Sequence, residues 1–201
     1  MAEEGHEVWG VDWSAEMLAQ RTRKVALLPG PVAARLNIVH GDVAGFDLAR
    51  GFALIIAPFR AFQALTEGVD QERCLGCVKA HLADHGRFIL HGFRPRAVLD
   101  RELGATGVVR LGGRRPAHQP TGPPVRAAQT HRSGPPNHPR RSYNRIDGCD
   151  QQIVESLSLS YFYAEQMRAL PQRNGFQIIE KLGYFDGQPI ANGPELIFVC
   201  R

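Results

Sequence analysis

Two carboxylates close short apolar runs early in the chain: Asp12 ends "EVWGVD" and Asp42 ends "RLNIVHGD". An acidic residue at the carboxyl end of a strand faces the ligand crevice of an open α/β sheet, where it accepts hydrogen bonds. Each also has a plainer use. Asp12 can start a helix alongside Ser14, and Asp42 can hold a turn. Cys74, Cys77, His81 and His85 follow the spacing C-x2-C-x3-H-x3-H, which suggests a metal. Structural zinc sites, however, draw their ligand pairs from two elements. Four positions along one continuous helix span about 16 Å at 1.5 Å per residue, too far to converge on one ion. The expectation is no metal, a core cysteine pair and solvated histidines. His91 is a further candidate, an imidazole able to take a proton near neutral pH. With Arg60, Phe62, Tyr143 and Tyr161 it falls near predicted strand ends or on the expected substrate side.

These residues need elements to position them. Val8, Trp9 and Val11 suit a buried strand, and Ser14 can cap the helix that follows. In "SAEMLAQRTRKVALL", Ala15, Leu18, Thr22 and Val25 share one helical face, and "PGP" at 29–31 stops it. "RLNIVHGD" is a second strand. "GFALIIAPF" (51–59) is a third, nearly all apolar and so expected to be buried on both faces. A helix is expected over 70–86, with Asp70 as its N-cap and Gly86 at its end, then the strand "RFILHGF" (87–93). "IVESLSLSYF" (153–162) reads as a strand crossing the substrate side, and "AEQMRALPQRNGF" as a helix. "FQIIEKLGYF" and "ELIFVCR" form a closing strand pair with no helix between them. Strands alternating with helices predict an α/β fold, Rossmann-like and doubly wound, mostly parallel with an antiparallel C-terminal strand.

The 201 residues suit a single domain with a full core. No apolar run approaches the roughly 20 residues of a membrane helix. "MAEEGHE" lacks the basic-then-apolar pattern of a signal peptide, and four cysteines show no disulfide spacing. A cytoplasmic protein with reduced thiols is expected. The net charge of +4 is concentrated: residues 114–142 hold six Arg and no Asp or Glu, so the remaining chain stands at −2. The same stretch holds seven of the fourteen prolines, and 104–142 reads as a Pro/Arg-rich irregular insert.

The ordered set of motifs resembles the class I S-adenosylmethionine-dependent methyltransferases of the small-molecule, methyltransferase-domain type. "EVWGVDWSAEML" is similar to that family's second strand, and "VHGDVAGFDL" to its third-strand motif. "FALIIAPFRAFQAL" resembles the fourth, "HLADHGRFILHGFRP" the helix, turn and fifth strand, and "LPQRNGFQIIEKLGYFDGQPI" with "PELIFVCR" the last helix and strand pair. The likeness covers roughly residues 5–95 and 146–201. It implies that S-adenosylmethionine is the cofactor and a small molecule the methyl acceptor. It also implies that Asp12 binds the ribose hydroxyls, with Trp13, Ser14 and Met17 around the adenine. Gly41, Asp42 and Val43 would meet the adenine amino group and ring, and Ala57, Pro58 and Phe59 the methionine end. His91 and Arg60 are the candidate catalytic residues.

The family places a further strand and a G-x-G-x-G loop ahead of "EVWGVD"; five residues precede His6 here, without that loop. "ELGATG" at 102–107 follows no predicted strand and is not a substitute. The sheet is thus expected to lack its first strand, leaving two apolar edges open to self-association. Two rival readings follow. One is an inactive truncated relative. The other is a nucleic-acid binder using the 114–142 arginines, which the lack of interleaved aromatics argues against.

Overall fold

The computed structural model describes residues 1–94, 107–112, 128–130 and 156–201. Strand β1 (Val8–Asp12) leads through Ser14 into helix α1 (Ala15–Val25), and Ser14 Oγ accepts from the Met17 amide at 3.2 Å. "PGP" does not simply stop the chain: proline in a first turn is compatible with helix, and α2 (Gly30–Ala33) forms there. β2 (Leu36–His40) runs parallel to β1 in the register Val8↔Leu36 to Asp12↔His40.

β3 (Phe52–Ala57) leads into a 3-10 turn (Ala61–Ala64) and helix α3 (Gly68–His81). The helix starts earlier than expected, with Glu67 at its N-cap position, and ends five residues before Gly86. β4 (Leu82–Phe93) takes over at once and pairs parallel with β3. Gly86 lies where an added Cβ would stand 2.9 Å from the Phe52 carbonyl, so the two chains meet there as closely as glycine permits.

β5 (Gly107–Gly112), β6 (Ala128–Thr130) and β7 (Ser156–Tyr161) form an antiparallel sheet in the order β6-β5-β7. β5 and β6 fall within the 104–142 stretch that composition marks as irregular. Helix α4 (Ala164–Arg173) is followed by β8 (Ile178–Leu182) and β9 (Glu195–Cys200), which pair antiparallel. β9 also pairs antiparallel with β4, giving the order β3-β4-β9-β8. This is an α/β Rossmann-like arrangement, with the parallel pairs and the antiparallel end that the residue patterns predict.

The core lies between β4, β9, α3 and α4. Leu75, Phe88, Leu90, Met167, Leu196 and Phe198 are fully buried there. Gln63, buried as well, ties the β7 sheet to this body: its Nε2 donates to the Ser160 carbonyl at 2.9 Å and its Oε1 accepts from the Phe93 amide at 3.0 Å.

One expectation about burial fails. "FALIIA" pairs on one edge only, and Leu54 (38 %) and Ile56 (42 %) remain exposed. Its composition suits a strand covered on both sides, while the described elements cover it on one.

Candidate functional site

Asp12 and Asp42 come to the same edge of the molecule because β1 and β2 are parallel neighbours of equal length. The Asp12 carbonyl accepts from the Gly41 amide at 3.0 Å, joining the two strand ends directly. Gly41 packs close: a Cβ there would lie 3.3 Å from Val11 Cγ1. Each aspartate commits one oxygen to its own loop. Asp12 Oδ1 accepts from the Ser14 amide at 2.9 Å, and Asp42 Oδ1 from the Ala44 amide at 2.9 Å. So both plainer roles are real, and each carboxylate keeps a second oxygen for other donors. His40 Nε2 reaches the Trp13 carbonyl at 2.9 Å, fixing the backbone between them.

Around these ends stand apolar side chains that the fold leaves in solvent. Trp13 is 56 % exposed, Met17 54 % and Phe59 87 %. Trp13 stands just before the N-cap Ser14 of α1, and Met17 in the helix's first turn. Val43, Ala57 and Pro58 line a cavity of about 420 Å³ running between β1 and β3.

The turn after β3 is strained. Phe59 (φ 52°) and Arg60 (φ 66°) are consecutive non-glycine residues in the left-handed region, at a cost of about 1–3 kcal/mol each. The surroundings hold it. The Phe59 amide donates to His91 Nδ1 at 3.1 Å, and the Gln63 amide donates to the Arg60 carbonyl at 2.9 Å. Because His91 Nδ1 accepts, its proton sits on Nε2, which donates to Glu195 Oε2 at 3.1 Å. The Arg60 guanidinium stands 3.6 Å from Glu195 Oε1 and 5.2 Å from the Phe93 ring centre. His91 is buried and edge-on to Phe185, with both nitrogens engaged.

The sequence-predicted residues therefore divide into groups. Asp12, Trp13, Ser14, Met17, Gly41, Asp42 and Val43 share the β1/β2 ends. Ala57, Pro58, Phe59, Arg60 and His91 gather at the β3 end. Phe62 and Tyr161 are core side chains, 1 % and 2 % exposed. Tyr143, the arginines of 114–142, Cys149 and residues 102–106 lie outside the described residues.

The histidines of the cysteine–histidine stretch are not both solvated. His81 ends α3 and is buried, with Nε2 accepting from the Leu48 amide at 2.9 Å and Nδ1 donating to the Cys77 carbonyl at 2.8 Å. His85, beyond the helix end, is exposed. Among the described residues no group of three or more His, Cys, Asp or Glu side chains is placed to hold a metal ion.

Sequence reasoning missed Glu195, which anchors both His91 and Arg60, and Gln63. Glu195 heads an otherwise apolar strand, a faint signal. Its partner lies 104 residues away, which no local pattern encodes.

Comparison with solved structures shows the fold. The methyltransferase CcbJ from Streptomyces caelestis matches with a TM-score of 0.70 at 17 % identity, over 100 % of this chain and 76 % of that one. The glycopeptide N-methyltransferase MtfA complexed with S-adenosyl-L-methionine matches at 0.67 and 16 %, over 100 % and 74 %. The chain has the fold of the class I S-adenosylmethionine-dependent methyltransferases. An S-adenosylmethionine-dependent methyltransferase from Clostridium acetobutylicum is similar too, at 0.63 and 14 %, over 96 % and 74 %. No protein-family model and no curated protein matches the sequence. No described helix of this methyltransferase-like chain is long and apolar enough to cross a membrane.

Proposed function

We propose that this chain binds S-adenosylmethionine at the β1/β2 ends and transfers its methyl group to a small-molecule acceptor. One observation carries the reading: two parallel strands bring Asp12 and Asp42 to the same end, each with a carboxylate oxygen beyond its own turn, near exposed Trp13 and Met17. That set of acceptors and apolar faces fits an adenosine. A carboxylate matches vicinal hydroxyls, a second carboxylate matches an exocyclic amine, and an aromatic face and a thioether match a flat ring.

In this reading Asp12 takes the ribose hydroxyls and Asp42 the adenine amine, with Gly41 and Val43 against the ring. Ser14 holds the loop that presents Trp13. Ala57, Pro58 and Phe59 line the sulfonium end, where an exposed aromatic face suits positive charge. The cofactor supplies an electrophilic methyl group, so the chain's task is alignment of acceptor and methyl. His91 and Arg60 serve that task by fixing the strained Phe59 turn through Glu195.

Calorimetric titration of the folded chain with S-adenosylhomocysteine tests this. Saturable binding is expected. Asp12→Asn keeps an oxygen that can accept from the Ser14 amide and replaces the other, with its charge, by an NH2 donor. It and Asp42→Asn should each weaken binding about 10- to 100-fold, the loss of one charge-assisted hydrogen bond of roughly 1.5–3 kcal/mol. A folded sample giving no heat, or variants binding as the parent does, would defeat the proposal.

A further inference from the structure

Three aromatic side chains at the β3 end stay in solvent: Phe59 at 87 %, Phe185 at 67 % and Tyr184 at 42 %. Scattered surface aromatics are ordinary, but these three share one anchor. The Phe59 amide donates to His91 Nδ1 at 3.1 Å, and the Phe185 ring stands edge-on to the same imidazole, 5.0 Å between centres. Tyr184 meets Phe185 at 5.5 Å.

Glu195 ties together the two segments that carry them. Its amide donates to the Gly183 carbonyl at 2.9 Å, closing the connection between β8 and β9 that holds Tyr184 and Phe185. Its carboxylate accepts from His91 Nε2 at 3.1 Å and stands 3.6 Å from the Arg60 guanidinium. That ion pair is too long for a hydrogen bond, and among the described residues the Arg60 side chain makes none. Arg60 is still 43 % exposed, with its guanidinium 5.2 Å from the Phe93 ring centre. A planar fork of N–H donors is thus left for a ligand beside the aromatic faces.

The backbone strain has a use here. Phe59 and Arg60, at φ 52° and 66°, are held in a conformation that a relaxed turn would avoid. Neither side chain enters the core, so packing does not explain the strain. One aromatic and one cationic side chain at consecutive strained positions suit contact with a ligand instead. A flat ring answers the aromatic faces, and a carboxylate matches the guanidinium fork with two parallel hydrogen bonds. Arg60 already shares Glu195, so a monoanion matches its remaining charge better than a phosphate dianion does.

We propose that the methyl acceptor is an aromatic carboxylic acid, its ring against Phe59 and Phe185 and its carboxylate on Arg60. This rests on the reading that puts the sulfonium end at Phe59. A hydroxyl or amine on the acceptor ring takes the methyl group. Its lone pair forms the new bond to carbon, the carbon–sulfur pair stays on sulfur, and the acceptor proton passes to water.

The probe is salicylate, itself fluorescent, added to the full chain without cofactor and followed by fluorescence anisotropy. Saturable binding is expected. Salicylamide, of the same shape and uncharged in slightly acidic buffer, should bind about tenfold more weakly. Cyclohexanecarboxylate keeps the charge and lacks the aromatic ring, so it should displace salicylate about 3- to 10-fold less well than benzoate does. Arg60→Met should bring acid and amide to equal affinity. Phe185→Leu should weaken both by about 3- to 10-fold and leave their ratio unchanged. Phe185 lies outside the core, so this variant decides the matter even if Arg60→Met fails to fold. Equal affinity of acid and amide for the parent chain would overturn the proposal. So would a preference that survives in folded Arg60→Met, or Phe185→Leu binding as the parent does. A chain that prefers the acid but gives no heat with S-adenosylhomocysteine keeps this carboxylate subsite and defeats the cofactor reading. One that gives heat and shows no acid preference does the reverse.

Discussion

His91 and Glu195 meet across the β4–β9 pair, Nε2 to Oε2 at 3.1 Å, while the other nitrogen of the ring accepts the amide of Phe59. One imidazole thus links a partly buried acid to a strained turn. The link requires the neutral ring, because a doubly protonated imidazole has no lone pair for the Phe59 amide.

His91→Ala should therefore cost stability as well as any activity. It leaves the Phe59 amide without its acceptor and Glu195 with Arg60 alone beside it, and about 1–3 kcal/mol is expected for a group left unsatisfied. Urea unfolding measures the loss. Limited proteolysis after Phe59 should accelerate, since the Phe59 amide loses its tie to β4. A variant as stable as the parent would show that the turn stands without His91.

The clasp between Glu7 and Arg50 predicts an acid sensitivity. Hydrogen bonds from Arg50 and then Trp9 hold the Glu7 carboxyl below its ordinary value of 4.5. A lowered folded value means that the contribution is present above pH 4.5 and disappears as pH falls through the folded value. Arg50→Ala should lower the melting temperature at pH 6 and flatten its fall between pH 5 and 3. The pair is exposed, so the difference should shrink in 1 M salt, where the Debye length is about 3 Å. An unchanged pH profile in the variant would mean that the clasp contributes nothing.

Burial pushes the thiols of Cys74 and Cys200 up to about 12 from an ordinary 9.0. At pH 8 roughly one such thiol in 10⁴ is ionised, so both should resist iodoacetamide in the native state. Half-buried Cys77 should react first among these three, as peptide mapping will report. The raised folded values stabilise the fold fully below pH 9, and that contribution is lost as pH rises from 9 towards 12. Rapid native alkylation of Cys74 or Cys200 would show that the core opens more readily than its packing implies.

Much of the architecture was legible locally. The short apolar runs "EVWGVD" and "RLNIVHGD", with helical spacing between them, located β1, α1 and β2, because apolar runs and a period of 3.6 residues are local properties. The closing pair "FQIIEKLGYF" and "ELIFVCR" was legible for the same reason. The end of α3 was not. Asp70 and Gly86 are reasonable cap residues, yet the helix runs from Gly68 to His81, since pairing of Leu82 with Phe52 claims the following residues for β4. Propensity at a helix end is worth tenths of a kcal/mol, and a sheet contact outweighs it. His81 shows the same limit: a histidine at a helix end looks solvated until Leu48, 33 residues away, donates to it.

For the candidate site, the residue types and their order along the chain determined which side chains could meet a nucleoside: two acids at strand ends, an aromatic and a methionine one turn beyond. Only the tertiary structure decided that Asp12 and Asp42 come to the same end of the β1–β2 pair, that His91, held by Glu195, supports Phe59, and that an apolar cavity lies between β1 and β3. Strand alternation and capping act over a few residues and are written in local sequence. Strand order and buried polar pairs depend on which distant segments come together to cover the same core, and that is settled only when the whole chain packs.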